Sequence, residues 1–271
     1  MKKHYTSVIS NTFGKFASKE FSPSVQNFIN KGYVKLMGLD MSAFKEPSEY
    51  KTLNKLFTRS FVKSPKLPED KSIFVSPVDG LITDAGEIVD GKAYQIKGMS
   101  YDMDTLFGAY YEGISKNLEG GEFINFYLSP KDYHRYHMPM TLNILSLTHI
   151  PGKLYPVNFP LLRNMPDLFI ENERVVIECK DEKGRLHMLV LVGALNVGKM
   201  IVSFEKSIRT NSELREEKYY AYDKLKLERG ELFGWFEMGS TILTFSQKGS
   251  ISPDLEINQK VSFSDDLGTV L

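Results

Sequence analysis

Between residues 122 and 245 the chain carries six apolar runs, at 122–128, 142–150, 174–179, 188–197, 200–204 and 241–245. Each is rich in Val, Ile, Leu and Phe, and Gly, Pro and Asn punctuate them, which reads as a succession of strands. The expected class is therefore α+β, with a β-rich core over residues 71–271 and a helical region over residues 1–70. Residues 40–71, broken by Pro47, Pro65 and Pro68, read as a connector with a helix around Leu53, Leu56 and Phe57. No repeat with a period of 20–50 residues and no Gly-rich nucleotide loop in the right context is present. At 271 residues, 42% hydrophobic and 25% charged, the chain can bury a sizeable core, which argues against disorder. Cys179 is the one cysteine, which excludes an internal disulfide framework and any multi-cysteine metal site. A reducing compartment is the simpler setting. No apolar run reaches the roughly 18–20 residues needed to span a bilayer, and the start lacks the apolar core of a secretory signal.

The net charge of zero hides an asymmetry. Residues 1–70 carry 12 basic and 6 acidic side chains, and the rest of the chain carries the opposite balance. A basic front end suits an anionic lipid surface or nucleic acid, or is a solvated lysine-rich face. Apolar spacing favours lipid. After Ser22-Pro23, which reads as an N-cap and first-turn proline, Val25, Phe28, Ile29, Gly32, Tyr33 and Leu36 recur at helical intervals, and Gly38 reads as the stop. A weaker stripe of Phe13, Phe16, Ala17 and Phe21 runs upstream beside Lys15 and Lys19. Such segments either lie in a membrane interface or pack on the protein's own core.

Three short stretches carry candidate chemistry. Ser76-Pro77-Val78-Asp79-Gly80 reads first as a turn, and Asp79 is also the residue type that orients a histidine in a catalytic relay. In Ser129-Pro130-Lys131-Asp132-Tyr133-His134-Arg135-Tyr136-His137-Met138-Pro139, two histidines sit three apart after an expected strand. Histidine moves protons near neutrality, so His134 and His137 are catalytic, structural or zinc-binding; Asp132, His149 and His187 lack diagnostic spacing as a third zinc ligand. In 230–241, Gly239-Ser240 is either a turn entering a strand or a strained bond. In the second case the serine hydroxyl attacks its own preceding carbonyl, given a base.

Taken together, these stretches resemble the pyruvoyl-dependent phosphatidylserine decarboxylases of the bacterial, membrane-associated type. The resemblance runs from about residue 47 to 250. It includes Asp132-Tyr133-His134-Arg135-x-His137-Met138-Pro139 and Gly234-x-Phe236-x-x-Gly239-Ser240-Thr241. Further matching segments are 50–61, 95–98, 151–158, 172–174 and 192–198. Met238 departs from the leucine of many relatives, a volume-conserving change. The resemblance implies that Asp79 orients His137 and that His137 deprotonates Ser240. Autocatalytic serinolysis between Gly239 and Ser240 then yields a long chain of residues 1–239 and a short chain of residues 240–271, which stay together as a heterodimer. Ser240 becomes a covalent pyruvoyl cofactor, with no metal and no pyridoxal phosphate. Through a Schiff base to that group, phosphatidylserine is decarboxylated to phosphatidylethanolamine, with His134 the candidate for the protonation step. Arg135, Lys131 and Lys97 are weaker candidates for contact with the headgroup. The partners implied are phosphatidylserine and an anionic membrane surface, with room for a further homo-oligomer and no nucleic acid. The expected location is peripheral, on the cytoplasmic side of the cell membrane. The alternatives are a self-processing decarboxylase for another serine lipid or a soluble amino acid, a non-catalytic β-rich membrane-binding protein, and a zinc hydrolase on His134 and His137.

Overall fold

The computed structural model describes residues 5–96, 99–157, 164–165, 167–195, 199–208, 210, 216–237 and 241–271. Helices α1 (Tyr5–Ser18), α2 (Pro23–Met37) and α3 (Leu53–Phe57) come first, and α4 (Met103–Phe107) follows later. The strands in chain order are β1 (Ile73–Val75), β2 (Gly80–Glu87), β3 (Lys92–Ile96), β4 (Met99–Asp102), β5 (Glu122–Tyr127), β6 (Arg135–His137), β7 (Leu142–Ile150) and β8 (Arg174–Lys180). They continue with β9 (Leu186–Val192), β10 (Met200–Val202), β11 (Lys218–Leu227), β12 (Leu232–Phe236), β13 (Thr241–Ser246), β14 (Ile251–Pro253), β15 (Lys260–Val261) and β16 (Asp266–Val270).

Eight strands form one antiparallel sheet in the order β11-β7-β8-β9-β13-β5-β2-β15. All seven residues of β9 are buried, as in a strand covered on both faces. Its neighbour β13 is buried throughout and pairs with β9 on one side and β5 on the other. The expected burial of Ile242, Leu243 and Phe245 is observed. At the edge, β11 exposes charged residues along most of its length, a composition that discourages further strand addition. A smaller sheet, β10-β12-β6, carries the histidine-bearing stretch.

The helical region has its own small core around Ala17, Leu53 and Leu56. The stripe read on α2 divides. Ile29 and Tyr33 pack on this core, whereas Val25, Phe28 and Leu36 face outward. The buried positions of α2 are polar: Gln26 and Asn30, with Asn30 Nδ2 donating to the carbonyls of Pro47 and Tyr50, both at 2.8 Å. Asn30 thereby satisfies main-chain acceptors of the connector that burial would otherwise orphan. Gly38 ends the helix in the left-handed conformation at φ 63°, as expected. Ser22 occupies the N-cap position but makes no side-chain capping bond, and Pro23 supplies the preset first turn instead. Among the described residues, no helix is long and apolar enough to cross a membrane.

Candidate active site

The helical region and the smaller sheet meet at the loop before β6. Arg59 Nη2 donates to the carbonyls of Lys131 and Asp132 at 2.9 and 3.2 Å. Arg135 Nε donates to the carbonyl of Thr58 at 3.0 Å. Phe57 lies against the His134 ring, 4.0 Å between centroids, and Phe61 against Tyr133 at 4.3 Å. Asp132 stiffens the same loop by accepting from the Ser129 amide and hydroxyl, both at 2.7 Å.

Both histidines are held in the same tautomer by main-chain carbonyls. His134 Nδ1 donates to the Asp132 carbonyl at 2.8 Å, and His137 Nδ1 donates to the Gly230 carbonyl at 2.9 Å. A carbonyl only accepts, so each Nδ1 keeps its proton and each Nε2 presents a lone pair. Gly230 reaches this position at φ 79°, where a side chain is strained and where a Cβ would also meet Leu67 at 2.4 Å. Burial pushes His134 down to about 3 and His137 down to about 4, so both rings are neutral at physiological pH. Among the described residues, His134 Nε2 is buried without a partner. His137 Nε2 accepts from the Tyr133 hydroxyl at 3.0 Å.

Asp79 lies in the bend before β2, so the turn reading describes its backbone. Gly80 follows because a Cβ there would stand 2.6 Å from the Tyr127 carbonyl oxygen of the paired strand. The Asp79 carboxylate accepts from the Phe263 amide at 2.7 Å, and the Phe263 ring stacks on His137 with centroids 3.8 Å apart. Asp79 thus adjoins His137 through Phe263, while the two ring nitrogens of His137 are engaged by Tyr133 and Gly230. Burial pushes Asp79 up to about 6, against the pull of the Phe263 amide and the Arg59 charge. Tyr133, itself pushed up by burial, also feels the Asp79 charge.

The third stretch is placed by its flanks. β12 runs antiparallel to β6, and the Phe236 amide donates to the His134 carbonyl at 2.9 Å. β13 begins at Thr241, opposite Tyr127, which in turn faces Leu81 of β2, two residues past Asp79. Gly239 and Ser240 lie between these flanks and outside the described residues, as do Met238 and Lys97. Thr241 Oγ1, on the residue that follows Ser240, is buried without a partner. This unsatisfied polar group, one residue along the chain from position 240, suits a carbonyl-bearing group derived from that residue, so the residues described there fit a pyruvoyl group.

The other residues weighed at the sequence level are engaged elsewhere. His149 Nε2 bonds Glu173 at 2.8 Å, and His187 Nδ1 bonds the Ser246 hydroxyl at 3.0 Å. Arg135 lies over Trp235 at 5.3 Å, whereas Lys131 lines a cleft beside Asp79. Tyr133, Gly230, Phe263 and Arg59 were not singled out from sequence. Tyr133 stood inside the histidine stretch, Gly230 at the start of the 230–241 stretch and Arg59 inside the matching segment 50–61, so of the four only Phe263 had no sequence signal.

The sequence model of the family described as phosphatidylserine decarboxylase matches residues 53–269. A Campylobacter jejuni protein named phosphatidylserine decarboxylase proenzyme is 41% identical over 261 residues, covering 94% of this chain and 96% of its own. A Helicobacter pylori protein of the same name is 40% identical over 264 residues, 97% of each chain. One from Marinobacter nauticus is 35% identical over 247 residues, 90% of this chain and 86% of its own.

Proposed function

The chain belongs to the phosphatidylserine decarboxylase family, and from that premise we propose that it is a carboxy-lyase converting phosphatidylserine to phosphatidylethanolamine and carbon dioxide. It is made as a proenzyme that cuts itself between Gly239 and Ser240. The observation that carries this reading is the pair of neutral histidines, each with Nδ1 locked to a carbonyl and Nε2 turned to other use, on the strand beside the one that leads to residue 240.

Maturation needs a base for the Ser240 hydroxyl. His137 supplies it at Nε2 when the Tyr133 hydroxyl yields that position. The serine oxygen attacks the Gly239 carbonyl, the amide becomes an ester, and elimination releases Gly239 as a new C-terminus. Hydrolysis of the remaining dehydroalanine, with loss of ammonia, leaves the pyruvoyl group on residue 240. The Gly230 carbonyl fixes the tautomer, a task that falls to a carboxylate in the serine-protease relay. Asp79 supports the imidazolium that forms, acting across Phe263.

When present, the pyruvoyl carbonyl supplies the electron sink for the charge left at the α-carbon as carbon dioxide departs. His134 handles the protons. Its Nε2 is an acceptor in the resting state, so it relays to the α-carbon a proton set free as the substrate amine reacts. Burial makes that imidazolium a strong acid, which favours the transfer. The enzyme works peripherally at the cytoplasmic face of the membrane, with the helical region against the lipid.

Intact-mass analysis of the purified protein tests this reading. Two chains are expected, 1–239 and 240–271, with the short one blocked at its N-terminus as a ketone. Asp79→Asn and His137→Ala should stay uncut, and His134→Ala should be cut yet turn over slowly. An unmodified Ser240 still joined to Gly239 in active material overturns the proposal.

A further inference from the structure

A cleft of about 380 Å³ opens between the helical region and the β-rich core, lined among others by Asp40, Phe44, Arg59, Asp79, Lys131 and Asp132. Arg59 is its unusual member. The side chain is 3% exposed, lies 4.6 Å from the Phe44 ring centroid and stays a guanidinium cation although burial lowers its pKa. Only Nη2 is used, on the two carbonyls of the histidine loop. Nε and Nη1 are buried with no hydrogen-bond partner. A buried cation with two idle nitrogens is costly unless a ligand completes it. The neighbouring carboxylates do not bond it: Asp79 accepts from the Phe263 amide, Asp40 from the Ser42 amide and Asp132 from Ser129.

We propose that the idle donors of Arg59 bind the phosphodiester of the lipid headgroup and so set where the serine moiety lies relative to His134. The inference rests on the decarboxylase reading above and deepens it. The substrate offers two anions, and the chemistry selects between them. Holding the carboxylate would stabilise the ground state and lose that grip as neutral carbon dioxide forms, which opposes catalysis. The phosphodiester keeps its charge from substrate to product, so binding it anchors the headgroup without raising the barrier. The cleft lining includes Gly38 and Phe61, whose chain neighbours Met37 and Val62 are exposed apolar residues, so acyl chains can leave the mouth along apolar surface.

The test uses processed enzyme carrying Arg59→Gln or Arg59→Lys, with mass analysis confirming cleavage. The KM for phosphatidylserine in mixed micelles and the inhibition constant for glycerophosphoglycerol, a phosphodiester lacking amine and carboxylate, should both rise about tenfold or more in Arg59→Gln. In Arg59→Lys, which keeps a cation able to donate to the loop carbonyls, the turnover number should change less than KM and the inhibition constant, as expected for uniform binding. A KM that rises while the inhibition constant does not would place the carboxylate on Arg59 and overturn the proposal, as would no change in either. Should Arg59→Gln fail to mature, phosphorus NMR on wild-type enzyme decides. Glycerophosphoglycerol should broaden on binding and compete with phosphatidylserine, whereas glycerol at equal concentration should not compete; equal effects overturn the subsite. Wild-type enzyme that binds the phosphodiester but releases no carbon dioxide from phosphatidylserine would refute the activity rather than the subsite.

Discussion

Asp79 and His137 are shifted in opposite senses by the same burial, and this separates their roles by pH. His137, pushed down to about 4, remains a neutral base through the mildly acidic range. Asp79, pushed up to about 6, loses its charge there first. If the Asp79 carboxylate supports the imidazolium formed during self-cleavage, the cleavage rate should fall with a midpoint near pH 6, not near pH 4. Unfolding does not explain that loss through Asp79. A carboxyl whose folded pKa is raised takes up its proton more readily in the fold, so its contribution to stability improves as pH falls through 6 and is complete below its unfolded value. The histidines act in the opposite sense, costing stability as pH falls below their ordinary range toward 4 and 3. Cleavage followed on denaturing gels between pH 4 and 8, with circular dichroism on the uncut precursor, checks this. A midpoint near 4 with an intact fold would leave Asp79 without an electrostatic part in maturation.

At the scale of elements, β13 is the strand that would hold a chain cut at the proposed site together. Six register pairs join it to β5 and six more to β9, so both of its edges belong to the long chain. The two pieces should co-elute in gel filtration under native conditions and separate only on denaturation. Leu243, fully buried between those partners, should be a sensitive position: Leu243→Ala should cost about 2–5 kcal/mol, read by urea unfolding. This strand was legible in the sequence because burial on both faces selects an uninterrupted apolar run. The same holds for β9, whereas β7 was legible from apolar residues that alternate with polar ones and β8 from its short central apolar run at 175–177. Strand β11 was not legible, since its edge position places Lys218, Asp223, Lys224 and Lys226 in water and leaves no apolar run to read. Strand β2 was hidden because it starts inside the Asp79-Gly80 bend. The site divides similarly. Asp79, His134 and His137 were legible as side chains in short motifs. The groups that hold them were not: the Gly230 carbonyl belongs to the main chain, and the Phe263 amide comes from 184 residues away.

At the scale of the whole molecule, α2 is amphipathic in the reverse of the usual sense. Its polar Gln26 and Asn30 are buried, while Phe28 and Leu36 are 80% and 78% exposed and Val25 stands exposed on the same side. Lys31 and Lys35 on this helix and Lys15 and Lys19 upstream are exposed as well. Apolar side chains that find no protein partner beside lysines suit the boundary between acyl chains and anionic headgroups. On this argument Phe28 and Leu36 enter the bilayer, each contributing about 1.5–3 kcal/mol, and the cleft mouth beside Met37 comes down to the headgroup plane. The double variant Phe28→Asp, Leu36→Asp should then lose about a hundredfold or more in affinity for phosphatidylserine-containing vesicles, measured by sedimentation. Its self-cleavage should be normal, because His137 and the strands that flank residue 240 belong to the β-rich core. Raising the salt concentration should weaken wild-type binding by screening the lysines, and the apolar contribution should persist. Unchanged sedimentation of the double variant would mean that a different surface meets the lipid and that the headgroup enters the cleft from another side.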